Sequence, residues 1–206
     1  MFRNILISAL LLAPTIAHAE LHKGSLGFGY STSSADLSEG GVTVDGDINQ
    51  SVFQISHFIN ENIELAASLA TGTYELVGEE IDIDNTSIGF TFHSERVDLI
   101  KGTGGGFKFG VSNSDSDLTY DGISTSGAET FVELGYASGL GEGLSIEVKF
   151  IGQSDDMGGN NGISARLMSC QTNNVCLKGA VTSTSTESDG LKLEGSGFNV
   201  GIGFLF

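Results

Sequence analysis

Five charged side chains fall where alternation with apolar neighbours turns them to one face: Lys108, Glu129, Glu133, Glu147 and Lys149. Folding the run around Glu133 back on the run around Glu147, through the turn at 138–143, brings these two carboxylates close together. Two carboxylates side by side in a confined space raise the pKa of one of them and make an acid/base pair. Lys108 and Lys149 share the same face, so an interior ion network is expected in place of proton-transfer chemistry. His93-Ser94 and Ser56-His57 are the other suggestive neighbours. Adjacent strand residues point to opposite faces, so neither pair can work as base and nucleophile. No Ser-His-acid triad assembles from the sequence, and these histidines are expected near the strand ends. The run Gly102-Thr103-Gly104-Gly105-Gly106 lacks the strand-to-helix setting and the following Lys-Ser/Thr of a phosphate cradle, and reads as a turn. No catalytic residue, cofactor site or metal site is therefore expected, and the chain is not read as an enzyme.

The elements that position these residues are short and regular. Residues 1–19 carry Arg3, an apolar run from Ile5 to Ala13, and Ala17-His18-Ala19. That is the layout of a cleaved secretory signal peptide, with cleavage between Ala19 and Glu20. The remaining chain, 20–206, is expected to be one domain. The single Pro of the chain is Pro14, inside the leader, while Gly numbers 30. A chain without Pro can hydrogen-bond along its whole backbone, which a closed sheet in lipid requires. Net charge is −17, and −18 once Arg3 leaves with the leader. Such acidity argues against nucleic acid as a partner.

Period-two alternation recurs along the chain. Leu26, Phe28 and Tyr30 alternate with Gly and Ser, and a polar loop is expected over 33–46. Phe53, Ile55 and His57 follow, then a tight Asn60-Glu61-Asn62 turn, then Ile63, Leu65, Ala67 and Leu69. Further runs centre on Phe90, Phe109, Leu134, Val148 and Val200. The preferred count is eight strands, near the ~9–11 residues a tilted strand needs to cross a bilayer. Ten remains the alternative, because Gly162–Ser169 and Val175–Thr184 also alternate, though the second has a weak apolar face. In the eight-strand reading that pair is a hairpin standing above the membrane. Cys170 and Cys176, the two cysteines of an exported chain, would pin it as a disulfide. Acidic loops are expected around Glu79, Glu80, Asp82 and Asp84, and around Asp115, Asp117, Asp121, Asp155 and Asp156. They lack EF-hand spacing and read as solvated surface, bridged by divalent cations to anionic lipid.

The last stretch, GSGFNVGIGFLF, places Phe198, Val200, Ile202, Phe204 and Phe206 on one face. It resembles the C-terminal sorting strand of bacterial outer-membrane β-barrels, with Asn199, Gly201, Phe204 and Phe206 in its slots. The segment SVFQISHFINENIELAASLATGTYEL resembles the opacity-type outer-membrane β-barrel family. The resemblance implies an all-β, single antiparallel transmembrane barrel in the bacterial outer membrane. It also implies contact with outer-membrane lipid and lipopolysaccharide, and reading of the C-terminal signal by the barrel-assembly machinery. Since the chain ends on the last strand, no periplasmic anchor domain is expected to follow. Three functions follow in order of preference. The first is a structural or interaction platform presenting acidic surface loops to a surface ligand. The second is a narrow porin-like channel for small solutes, against which inward Phe131, Ile151 and Leu205 weigh. The third is a lipid-modifying enzyme, which lacks a catalytic constellation.

Overall fold

Alternation of small and apolar residues gives each run one greasy and one polar or empty face, which a pleated strand presents without strain. A computed structural model describes residues 22–39, 42–153, 160–171, 173–188 and 191–206. The expected signal peptide with its Ala19/Glu20 cleavage point, and Asp155 and Asp156, lie outside the described residues. The chain forms β1 (Gly24–Glu39), β2 (Val42–Val44), β3 (Gly46–Phe58), β4 (Ile63–Leu76), β5 (Glu79–His93), β6 (Gly105–Tyr120), β7 (Ile123–Gly141), β8 (Leu144–Gln153), β9 (Asn160–Cys170), β10 (Val175–Ser188) and β11 (Leu191–Leu205).

Consecutive strands pair antiparallel, and β11 closes on β1 from Ser25↔Leu205 to Glu39↔Leu191. Register along β1 is unbroken across Asp45, since Leu37 faces Val44 and Ser34 faces Asp47. Thus β2 and β3 are one stave, and the wall is a closed barrel of ten strands. Closure removes every sheet edge, so the wall's backbone groups pair within it. Of the two counts the sequence left open, ten is the one realised. Leu177 and Val181 are each 59 % exposed on the outer face of β10, with Gly179 between them. Two apolar residues flanking a glycine make a weak sequence signal and an adequate outer face.

Phe28, Phe90, Phe109, Leu134, Phe150 and Phe204 continue that outer belt around the barrel and are all exposed. A contiguous apolar belt on a soluble protein would be a liability; against lipid it is the stabilising surface. No helix among the described residues is long and apolar enough to cross a membrane.

Both described ends of the chain lie at one end of the barrel. Gly24 N–H donates to Phe206 O (2.8 Å), and Phe206 N–H donates to Gly24 O (3.0 Å). The β3–β4, β5–β6, β7–β8 and β9–β10 connections share this terminal end. The opposite, loop end carries the β4–β5 and β6–β7 turns, at Val77-Gly78 and Asp121-Gly122. Two expectations are corrected here. Glu79, Glu80, Asp82, Asp84, Asp115 and Asp117 lie on β5 and β6, not in loops, because backbone pairing continues where both faces turn polar. The Cys-bracketed turn lies at the terminal end, not above the membrane, because β9 and β10 are wall strands.

The β5–β6 connection, residues 94–104, docks against the end of the β7–β8 hairpin. Gly139 N–H donates to Gly104 O (2.8 Å) and Gly141 N–H to Gly102 O (2.7 Å). Gly102 sits at φ +65°, and a Cβ on Gly139 would stand 2.3 Å from the Gly102 carbonyl. Backbone against backbone cannot give way cheaply. Gly139→Ala is therefore expected to lower stability in urea titration of the refolded barrel by about 1–2 kcal/mol. Gly179→Ala, with nothing within 4 Å of the added carbon, should be near neutral. Equal effects of the two would contradict this docking.

Candidate functional site

Period two sets which side chains enter the barrel. From Gly135↔Lys108 and Gly135↔Lys149, the pairing places Lys108, Lys149 and Glu133 on the inner face with Glu147 and Arg166. Lys108 Nζ donates to Glu147 Oε2, and Arg166 Nη1 lies 3.7 Å from Glu147 Oε1. Lys149 Nζ donates to Glu133 Oε1 at 2.8 Å. Each carboxylate thus takes a lysine, and the Glu133–Glu147 acid/base pair does not form. Glu129 is not part of the ring. It faces Ser114 on β6, beyond Phe131↔Gln153 where the β7–β8 pairing stops, and it is exposed.

His93 is buried inside the wall, with Nε2 2.9 Å from Glu64 Oε2. His93 lies at the end of β5, where it is expected, but Phe92 takes the outer face and turns it inward. His57 does face outward, stacked on Phe206 at 6.5 Å between ring centroids. Neither adjacent serine serves a histidine. Ser94 Oγ accepts from Phe107 N–H (2.8 Å), and Ser56 Oγ lies 3.0 Å from Ser25 Oγ. In the C-terminal signal, Phe204 faces outward, while Asn199 and Gly201 lie on the inner face opposite Ser31 and Gly29.

Residues 94–104 close the barrel at its terminal end. The Arg96 guanidinium donates to the His22 carbonyl and stacks over Phe58, with Cζ 3.5 Å from the ring centroid. Such a cation–π contact is stronger when desolvated. Its Nε is buried without a hydrogen-bond partner among the described residues, so stacking and one carbonyl carry the group. Phe58 also meets His22 edge-on at 5.6 Å and His93 at 5.1 Å. Val97 is buried, and Leu99 and Ile100 pack with Met168 against Leu205 and the Cys170–Cys176 disulfide. Asp98 fixes the plug's shape: its Oδ1 accepts from Ile100 N–H (3.1 Å) and Lys101 N–H (3.0 Å). Burial opposes its charge, but those bonds and the Lys101 ammonium hold its carboxyl below the ordinary value.

His22, just outside the first strand, is pushed down to about 4, by burial first and by the Arg96 charge second. The sign follows from linkage. The released segment binds a proton below its ordinary 6.5, whereas the docked one resists until about 4. Docking is thus fully stable above 6.5 and weakens as pH falls toward 4, by on the order of 3 kcal/mol in total. Protection factors of the amides in residues 94–104, referred to intrinsic exchange at each pH, are expected to fall between pH 7 and pH 4.5, and this change should shrink in His22→Phe. Protection that does not vary over that range would contradict the assignment.

Above the plug, a cavity of about 310 Å³ is lined by the ring, by Lys178 on β10, and by small residues such as Ser68, Ser87 and Ser112. Sequence reasoning missed Glu64, Arg166 and Lys178 as charges lining the lumen. The alternation Ala165-Arg166-Leu167 and Leu177-Lys178-Gly179 carried the signal, but only once β9 and β10 are wall strands.

No protein-family model matches the chain, and no curated protein matches it. Among solved structures, it is similar to an outer membrane channel from Pseudomonas putida F1. The TM-score is 0.51 at 8 % identity, over 93 % of this chain and 100 % of that one. It is also matched to the outer membrane protein OprG from Pseudomonas aeruginosa. There the TM-score is 0.45 at 10 % identity, over 91 % of this chain and 97 % of that one. At such identity the first likeness is one of fold, that of outer-membrane β-barrels. The opacity-type resemblance remains one of pattern.

Proposed function

We propose that this chain is a bacterial outer-membrane β-barrel serving as a closed interaction platform, which presents acidic strand extensions at its loop end. The observation that carries this reading is the plug. Arg96, Val97 and Leu99 occupy the terminal end, where a solute path would have to leave. At the other end, Glu79, Glu80, Asp82, Asp84, Asp115 and Asp117 are all exposed on paired strands. A rigid hairpin bearing charge loses little conformational entropy when it meets a cationic partner or a divalent-bridged lipid headgroup. The termini would then face the periplasm, and the acidic extensions the exterior. Planar-bilayer recording of the refolded chain tests this. No stable single-channel steps are expected, and reproducible steps would overturn the platform in favour of a channel.

A further inference from the structure

We propose that the lumen above the plug is a binding site for one small organic monocarboxylate, with the Lys178 ammonium as its principal contact. This goes beyond the platform reading and does not depend on it. Four cationic side chains line the cavity: Lys108, Lys149, Arg166 and Lys178. Three carboxylates oppose them, Glu64, Glu133 and Glu147, and Arg96 and Glu95 add one charge of each sign. With histidines counted neutral, the lumen carries one excess positive charge inside a chain of net charge −17. That excess sits on an identifiable group. Lys108 is committed to Glu147 and Lys149 to Glu133. Arg166 has only its 3.7 Å approach to the shared Glu147. Lys178 Nζ has no hydrogen-bond or ion-pair partner among the described residues.

The wall beside it is glycine, and the carboxylates of Glu64 and Glu147 act on it only from beyond ion-pair distance. A Cβ added to Gly27 would stand 3.1 Å from Lys178 Nζ, and one added to Gly203 would stand 3.3 Å from it. The ammonium therefore lies over bare backbone at the cavity wall. A half-buried ammonium that makes no ion-pair contact is incompletely compensated, and an anion delivered to it supplies the missing contact. One excess charge matches one carboxylate. Phosphate, carrying about −1.5 to −2 near neutral pH, would leave the ring over-neutralised. The volume is at the lower end of small-ligand cavities, and the serines above the ring offer hydroxyls to a short polar or aliphatic body.

Calorimetric titration of the full barrel in detergent micelles at pH 7 tests the site, with sodium butyrate, butyramide and inorganic phosphate as probes. Butyrate should bind saturably, butyramide should give no heat, and phosphate should bind more weakly than butyrate. Lys178→Met should weaken butyrate at least ~10-fold, and Lys178→Arg by no more than about threefold. Folding of each variant is checked by the gel shift between unboiled and boiled samples. If Lys178→Met fails to fold, the acid–amide comparison on the unaltered chain still decides. Equal response to butyrate and butyramide, absence of butyrate binding, tighter phosphate binding, or unchanged affinity in a folded Lys178→Met would each overturn the proposal. Conductance reports on the platform separately, since a silent barrel and a conducting one can both bind.

Discussion

Replacing residues 96–105 with an Asn-Gly turn is expected to produce single-channel steps in a planar bilayer where the intact chain gives none. The wall itself should tolerate the change. Strands β5 and β6 pair through His93↔Lys108, and Ser94 N–H donates to Phe107 O at 2.9 Å. A four-residue loop, Glu95-Asn-Gly-Gly106, can therefore close from the hydrogen-bonded Ser94–Phe107 pair, with Asn-Gly at its tight centre. What disappears is the contact of Arg96 with Phe58 and the packing of Leu99 and Ile100 near Leu205. Inside the remaining wall the ring is polar and Ser68, Ser87, Gly89, Gly110 and Ser112 line the cavity, so water can pass beside the inward Phe131 and Ile151. A variant that shifts normally on gels yet stays silent would show that the lysine–glutamate ring seals the lumen. The plug would then lose its role as the closure.

The belt, the wall and the closing strand were legible because each rests on a period of two, which survives without knowledge of neighbours. Phe198 to Phe206 show it most clearly, and the pairing of Gly201 with Gly29 on β1 completes it. The strand count was less legible. In β10, Thr182, Ser183, Thr184 and Ser185 give no greasy face, and what holds them in the wall is backbone pairing to β9 and β11. The same cause extended β5 and β6 through acidic residues that read as loops. The lumen was half legible: Lys108, Glu133, Glu147 and Lys149 came from alternation alone. Glu129 was misplaced because alternation gives the face of a residue but not its height in the barrel. The plug was not legible, because a Gly-rich connection of ordinary turn composition says nothing of which cavity it enters. Its one sequence-level trace is length, since residues 94–104 exceed what a terminal-end turn needs.

Glu147 tests whether the ring holds the wall together. Its two oxygens serve Lys108 and Arg166, and its side chain is only 14 % exposed. Glu147→Leu leaves the Lys108 ammonium and the Arg166 guanidinium in the lumen without the carboxylate that they share. Breaking a buried ion pair from one side costs about 3–5 kcal/mol, because the orphaned partner remains buried. Water in the cavity and the distance to Arg166 place the expected loss near the lower figure, about 3 kcal/mol in urea unfolding from lipid vesicles. Glu129→Gln removes an exposed carboxylate outside the ring and should change stability by no more than about 0.5 kcal/mol. Lys108→Met combined with Glu147→Leu removes a whole pair, and should recover part of what the single change loses, a coupling that a double-mutant cycle reads directly. Arg166 remains unpaired in that double variant, so recovery is expected to be incomplete. Full recovery would assign the whole effect to Lys108, and no recovery would mean that Glu147 acts through packing instead of charge.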